Sequence, residues 1–187
     1  PHHHIKMSEL KNLLKSFTTS NPEKEEIKSP AKIGICLSGG GALGYAHIGV
    51  LQALEDNGIF PQVVSGSSMG GIVGTLYAAG ITPAQMMEVI KNDKLYRITK
   101  LMSFNPKFWE KSALINNKTV RIVIKECIPN NSFETLTMKM YVCVANLSIG
   151  KWEIIHEGDN LDAWVAATCA IPGIYSAVKI DNQIYVD

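Results

Sequence analysis

The feature that most restricts what this chain can fold into is a pentapeptide, Gly66-Ser67-Ser68-Met69-Gly70. A short apolar run within residues 60–65 predicts a buried strand before it, and the small residues of 71–80 predict a helix after it. Gly-x-Ser-x-Gly between a strand and a helix is typical of a nucleophile elbow, a sharp turn that exposes its central serine. The flanking glycines leave room for a close backbone approach. We therefore predict that Ser68 is a catalytic nucleophile; the alternative is an ordinary tight turn.

Composition restricts the class of protein. Of 187 residues, 46% are hydrophobic and 19% are charged, which is typical of a folded domain rather than a disordered chain. The net charge of +1 gives no electrostatic reason to expect nucleic acid as a partner. No apolar run reaches the ~18 residues of a membrane span, and no signal-peptide pattern opens the chain. We therefore expect a cytoplasmic protein that can lie peripherally at a membrane.

The cysteines argue for a reducing compartment. Each lies in an apolar run and none forms a C-x-x-C pair, which predicts buried thiols rather than disulfides or a zinc site. The four are Cys36, Cys127, Cys143 and Cys169. No cluster of metal ligands is visible in the sequence, so we expect neither a metal nor another cofactor.

The chain divides into three parts by composition. Residues 1–6 resemble the remnant of a purification tag and are excluded from reasoning about the fold. Residues 7–30 predict a short amphipathic N-terminal helix followed by a polar linker with alternating charge. Residues 31–187 predict one compact domain, and we expect the native protein to continue beyond Asp187.

A glycine-rich loop lies between the first strand and the first helix. The apolar run at 32–37 predicts a strand buried on both faces of a parallel sheet, and Gly39, Gly40 and Gly41 follow it. Successive glycine N–H groups beside a helix N-terminus can form a phosphate cradle for a nucleotide or an oxyanion hole. The nucleotide interpretation lacks a Gly-Lys-Ser/Thr ending and an acidic residue after the second strand, where Ser65 stands. We favour the oxyanion hole.

Two pairs of strands are predicted near the C-terminus. Residues 139–144 and 152–156 are joined by a short connection in which Gly150 can take the positive φ of a turn. Apolar strands also flank Asp181 and Asn182, a spacing that fits a two-residue hairpin. This hairpin places Asp187 at the end of a strand.

Four ordered segments together resemble the patatin-like phospholipase family in its bacterial form. They are residues 37–51, 66–70, 166–175 and 184–187, the last being similar to the start of that family's Asp-Gly-Gly or Asp-Gly-Ala motif. The resemblance implies an α/β protein with a three-layer α/β/α fold and a central, mostly parallel sheet. It also implies a catalytic dyad of Ser68 and Asp187 and the hydrolysis of lipid acyl esters.

The chain departs from the family pattern at two places. Many members carry Arg or Lys in the glycine loop where this chain has Leu43, so an anchor for an anionic headgroup is missing. The two small residues that complete the family's Asp motif do not follow Asp187. Ester hydrolysis is therefore a firmer expectation than a preference for phospholipids.

Residues 95–111 mix aromatic and apolar side chains with lysine and arginine. This mixture is typical of a membrane interface or of a lid over an acyl pocket. The alternative is an ordinary helix pair whose apolar face packs inward. We name the segment as the place of a possible peripheral membrane contact.

Three functional hypotheses remain open from the sequence. In the first two, Asp187 accepts the Ser68 proton and the acyl group passes either to water, in a hydrolase, or to another acceptor, in a transacylase. A Ser–His–Asp triad would have to use His47 or His156, and no histidine follows the acid as it does in α/β-hydrolases. The third hypothesis is a non-enzymatic module, either one that binds a nucleotide through its glycine loop or a domain that is inactive because its C-terminal part is missing.

Overall fold

The computed structural model describes residues 33–91 and 117–187, with the side chains of 89–91 left out, within one compact unit, Lys32–Asp187. The predicted N-terminal helix and linker, the tag remnant and the aromatic segment at 95–111 lie outside the described residues. Among the described helices, none combines the length and apolar character needed to cross a membrane.

The elements alternate between strand and helix in the N-terminal half and then become richer in strands. In chain order they are β1 (Gly34–Leu37), α1 (Ala46–Asp56), β2 (Val63–Gly66), α2 (Met69–Ala78), α3 (Pro83–Lys91), α4 (Lys118–Cys127), β3 (Lys139–Asn146), β4 (Lys151–Ile155), α5 (Leu161–Thr168), β5 (Val178–Ile180) and β6 (Gln183–Val186). Short 3-10 turns cover Gly41–Tyr45 and Phe133–Thr135.

One sheet contains all the strands of the described part of the chain. Its order is β1-β2-β3-β6-β5, and β4 also pairs with β3. The pairs β1–β2 and β2–β3 are parallel, whereas β3–β4, β3–β6 and β5–β6 are antiparallel. The expectation of a mostly parallel sheet was therefore wrong, because short connections such as the predicted hairpins can only join antiparallel strands.

The predicted turns take the expected backbone conformations. Gly150 has a φ of 66° between β3 and β4, while Asp181 and Asn182 have φ values of 46° and 63° between β5 and β6. Positive φ at both central residues is the condition for the tight turn that matches strand twist. The β5–β6 hairpin therefore sets the position of β6, and Asp187 directly follows the last residue of that strand.

The core lies against one face of the sheet. Burial alternates along β3, where Met140, Val142 and Val144 are buried and their neighbours are only partly so. A Cβ added to Gly74 of α2 would lie 2.9 Å from Val64 and 3.1 Å from Met140, so α2 packs directly on this face. The packing of α2 on the parallel strands therefore also positions the residues that directly precede α2.

Two expectations about burial were wrong. β1 is not buried on both faces, since only Leu37 of that strand is buried. Cys36, on the same strand, is exposed, and among the four free cysteines only Cys169 is buried. Both errors arose because the apolar character of a short strand does not show whether one or both of its faces are covered.

Candidate active site

The pentapeptide forms a strained turn between β2 and α2. Ser68 directly precedes Met69, the first residue of α2, and has φ 51° and ψ −124°. A non-glycine residue at positive φ is uncommon and costs about 1–3 kcal/mol, so surrounding structure has to hold it there. The serine is 5% exposed. The local geometry is that of a nucleophile elbow, as the sequence predicted.

Both glycines of the elbow are required by close backbone contacts. A Cβ on Gly66 would lie 2.4 Å from the carbonyl oxygen of Gly70. A Cβ on Gly70 would lie 2.1 Å from the carbonyl oxygen of Leu37 and 2.5 Å from that of Ser38. The start of α2 therefore sits directly on the peptides that lead from β1 into the glycine loop.

We expect Gly70→Ala to lower the free energy of unfolding by roughly 3 kcal/mol or more, because the clash is with backbone that no side-chain rotation relieves. Gly49→Ala is the matched control, since Gly49 is exposed in α1 and a Cβ there would meet nothing within 4 Å. Alanine in a helix interior is favoured over glycine by about 0.5–1 kcal/mol. Urea unfolding measures both changes; equal stability of the two variants would contradict the tight elbow.

The glycine loop lies beside Ser68. A Cβ on Gly39 would be 3.3 Å from Ser68 Cβ and 4.0 Å from Ser68 Oγ. Gly40 directly precedes the 3-10 turn that begins at Gly41, where Gly41 has a φ of 51° and the Leu43 N–H donates to the Gly40 carbonyl at 3.0 Å. The structure therefore brings the predicted loop and the predicted nucleophile together.

Asp187 lies near Ser68, although the two residues are far apart in the sequence. It follows β6, and its N–H donates to the Ala170 carbonyl at 3.1 Å. Although the residue keeps exposed surface, burial of its carboxyl raises its pKa above the ordinary Asp value, and the Ser68 side chain lies near enough to lower that pKa in part. A carboxylate with a raised pKa is a better proton acceptor than a free one.

Two thiols lie near enough to Asp187 to respond to its charge. The pKa of Cys143 is raised by burial and then by Asp187 and Cys36. The pKa of Cys169 is raised strongly by complete burial and by Asp187. Both therefore remain protonated at neutral pH, and a protonated thiol is a weak nucleophile. Ser68 is the nucleophile that this geometry favours.

The two candidate triad histidines have other contacts. His47 Nε2 lies 2.8 Å from the Ser38 carbonyl oxygen, at the start of the glycine loop. The ring of His156 lies against Tyr141, with 5.0 Å between ring centroids. Neither contact involves Ser68 or Asp187. The arrangement favours direct pairing of the serine with the carboxylate over a triad.

One residue at this site was missed by reasoning from the sequence. The Ser68 N–H donates to Thr168 Oγ1 at 2.9 Å, across 100 residues of chain. The only signal available was that Thr168 falls within residues 166–175, one of the four family-like segments. Within the described ranges, no three His, Cys, Asp or Glu side chains are grouped closely enough to hold a metal ion.

Comparison with known protein families gives a match over most of the chain. A family model described as "Patatin-like phospholipase" matches residues 35–187. An uncharacterized NTE family protein of Mycobacterium tuberculosis is 30% identical over 160 residues, which cover 85% of this chain and 43% of that protein. "Lysophospholipase NTE1" of Coccidioides immitis is 42% identical over 179 residues, covering 91% of this chain and 11% of that protein. The chain thus spans less than half the length of these relatives.

A solved structure shares the fold. VipD from Legionella pneumophila superposes with a TM-score of 0.54 at 16% sequence identity, over 85% of this chain and 46% of that one. At this identity the likeness shows the three-layer α/β fold and nothing about activity. The three-layer α/β class predicted from the sequence is thereby confirmed, with a mixed rather than a mostly parallel sheet.

Proposed function

This chain belongs to the patatin-like phospholipase family, and we propose that it is a serine acyl hydrolase that cleaves lipid acyl esters with a dyad of Ser68 and Asp187. The single observation that carries the proposal is the convergence of Ser68, at a strained elbow, and the Asp187 carboxyl, whose pKa responds to the Ser68 side chain. A proton acceptor placed beside the nucleophile is the arrangement that nucleophilic catalysis requires. The names of the relatives support the choice of lipid esters.

The proposed reaction begins with the attack of Ser68 Oγ on the acyl carbonyl carbon while Asp187 accepts the hydroxyl proton. The tetrahedral intermediate then collapses, the leaving alcohol takes the proton from Asp187, and an acyl-Ser68 ester remains. Water attacks this ester while Asp187 accepts its proton, and the second tetrahedral intermediate collapses as Asp187 returns that proton to Ser68 Oγ and the fatty acid leaves. The raised pKa of Asp187 supports its role in both proton transfers.

The negative charge that develops on the carbonyl oxygen needs donors already in place. We assign this role to backbone N–H groups of Gly39, Gly40 and Gly41, of which Gly39 lies against Ser68. The N–H of Met69, the first residue of α2, has no acceptor within its own helix and fits the second donor expected after a nucleophile elbow. Each such donor contributes about 3 kcal/mol to catalysis.

The glycine loop also bears on the choice of substrate. Leu43 is 83% exposed at the position where many family members carry a cation. An apolar side chain there offers an anionic headgroup no charge, so we propose that the enzyme selects the acyl ester more than the headgroup. A contact of residues 95–111 with the membrane remains a proposal about residues outside the described ranges.

Analysis of products tests the proposal. We expect the purified protein to release free fatty acid from lysophosphatidylcholine micelles, and the same rate of deacylation when glycerol is added as an acceptor. Chromatography of the lipids separates the outcomes. Acyl-glycerol as the main product would assign a transacylase. No acyl release, together with thermal stabilisation by ATP, would favour the nucleotide-binding module and contradict an enzyme.

A further inference from the structure

Thr168, the last residue of α5, connects the elbow to the centre of the sheet. Its hydroxyl accepts the Ser68 N–H at 2.9 Å and donates to the Cys143 carbonyl of β3 at 2.6 Å. Thr168 is fully buried. A hydroxyl has only one proton to donate. Because the Thr168 proton goes to the Cys143 carbonyl, the hydroxyl oxygen acts as the acceptor toward the Ser68 N–H, and the two bonds fix the orientation of the hydroxyl.

The residues just after Thr168 hold the acid. Two positions along, the Ala170 carbonyl accepts the Asp187 N–H at 3.1 Å. The segment 168–170 therefore bonds the backbone of the nucleophile at one end and the backbone of the acid at the other. Strand β3 contacts both ends of this arrangement. The Cys143 carbonyl accepts from the Thr168 hydroxyl, and Ala145 pairs with Val186, the residue before Asp187.

The elbow needs such support. Ser68 is held at φ 51°, a conformation that persists only where the surroundings over-determine it. The bond to Thr168 engages the N–H of the strained residue itself, and a buried N–H without a partner is strongly unfavourable. It also leaves that N–H unavailable to an oxyanion, whose donors must come from other residues.

The two branches of the threonine side chain both contact the elbow. While the hydroxyl binds Ser68, the methyl group lies 2.8 Å from the position a Cβ would take on Gly71. The methyl therefore packs against the first turn of α2. Valine reproduces this shape without the hydroxyl, and serine reproduces the hydroxyl without the methyl, so the two substitutions separate the contributions.

We propose that Thr168 is a positioning residue that sets the distance between the Ser68 hydroxyl and the Asp187 carboxylate through its bond to the Ser68 amide. This inference rests on the proposed function, since it assumes that the two side chains react together. The bond that Thr168 makes is to the Ser68 amide, so Thr168 acts through the nucleophile. Its loss should change the rate of the chemical step more than the binding of the ester.

The test compares Thr168→Val with Thr168→Ser, using a short-chain p-nitrophenyl ester. In Thr168→Val we expect kcat to fall about 10- to 100-fold, as for a small misplacement of reacting groups, with KM within about twofold of wild type. Labelling of Ser68 by a fluorophosphonate should slow in parallel. Hydrogen exchange of the Ser68 amide should accelerate. Thr168→Ser should keep kcat within about threefold of wild type.

Circular dichroism shows whether each variant is folded, and Thr168→Ala replaces the valine variant if that one does not fold. Unchanged kcat in a folded Thr168→Val or Thr168→Ala would overturn the inference, as would equal losses in the valine and serine variants. A wild-type protein with neither ester hydrolysis nor labelling would overturn the proposed function and this inference with it. In that case, faster exchange of the Ser68 amide in Thr168→Val would show only that the bond to Thr168 stabilises the elbow.

Discussion

We expect Ser68→Ala to abolish ester hydrolysis, with kcat falling by about 10⁴- to 10⁶-fold, because the substitution removes the proposed nucleophile of a covalent mechanism. The reason is that no acyl-enzyme forms without the Ser68 oxygen. The variant should remain folded, because the Ser68 N–H and its bond to Thr168 are unaffected by loss of the hydroxyl. Steady-state hydrolysis and fluorophosphonate labelling measure the effect.

Ser148→Ala is the matched control for this change. Ser148 is exposed in the turn between β3 and β4, where its hydroxyl accepts the Ile184 N–H at 2.9 Å. We expect unchanged turnover and labelling in this variant. Labelling that persists in Ser68→Ala would mean that another residue is the nucleophile.

We expect Asp187→Asn to lower kcat by about 10²- to 10⁴-fold, the usual contribution of a general base. Asparagine has nearly the same shape as aspartate, so the effect isolates loss of the proton acceptor. Asp181→Asn is the matched control, because Asp181 lies in the β5–β6 turn at a φ of 46° that asparagine tolerates. His156→Gln should leave turnover intact; its inactivation, with activity surviving in Asp187→Asn, would make His156 the base in place of Asp187.

The same carboxyl gives a prediction about pH. The pKa of Asp187 is raised in the folded protein, mainly by burial, so folding favours the protonated form. Its contribution to stability is present below the unfolded pKa of about 3.9 and is lost as the pH rises through the folded value. Asp187→Asn should therefore have a higher Tm than wild type at pH 7, and the difference should shrink toward pH 4. The acidic limb of the kcat/KM profile of the wild type should lie above pH ~3.9.

The elements predicted best were those whose determinants are local. The elbow follows from glycines and a serine that are adjacent in sequence, and its steric demands are met within residues 66–70 and by the neighbouring strand end. The β5–β6 turn follows equally from Asp181 and Asn182, both of which take positive φ. Because this hairpin fixes the end of β6, it allowed Asp187 to be placed at a strand end from sequence alone.

The features that failed or were missed depend on residues distant in sequence. The antiparallel pairing of β6 with β3 at Ala145 adds to the mixed character of the sheet, and unlike the two hairpins it is specified by no local pattern. The bond between Ser68 and Thr168 joins residues 100 positions apart, and a threonine at the end of a helix carries no mark of such a partner. The exposure of Cys36 depends on whether a second layer covers that face of β1, which the strand itself does not encode.

The most direct test of the account is the structure of the protein after reaction with a fluorophosphonate. We predict a covalent bond from phosphorus to Ser68 Oγ, with the phosphoryl oxygen about 2.7–3.1 Å from backbone N–H groups of the glycine loop, the distance expected for an oxyanion hole. The Asp187 carboxylate should lie beside the phosphonylated oxygen. An adduct on a different residue, or a phosphoryl oxygen directed away from Gly39, Gly40 and Gly41, would contradict the account.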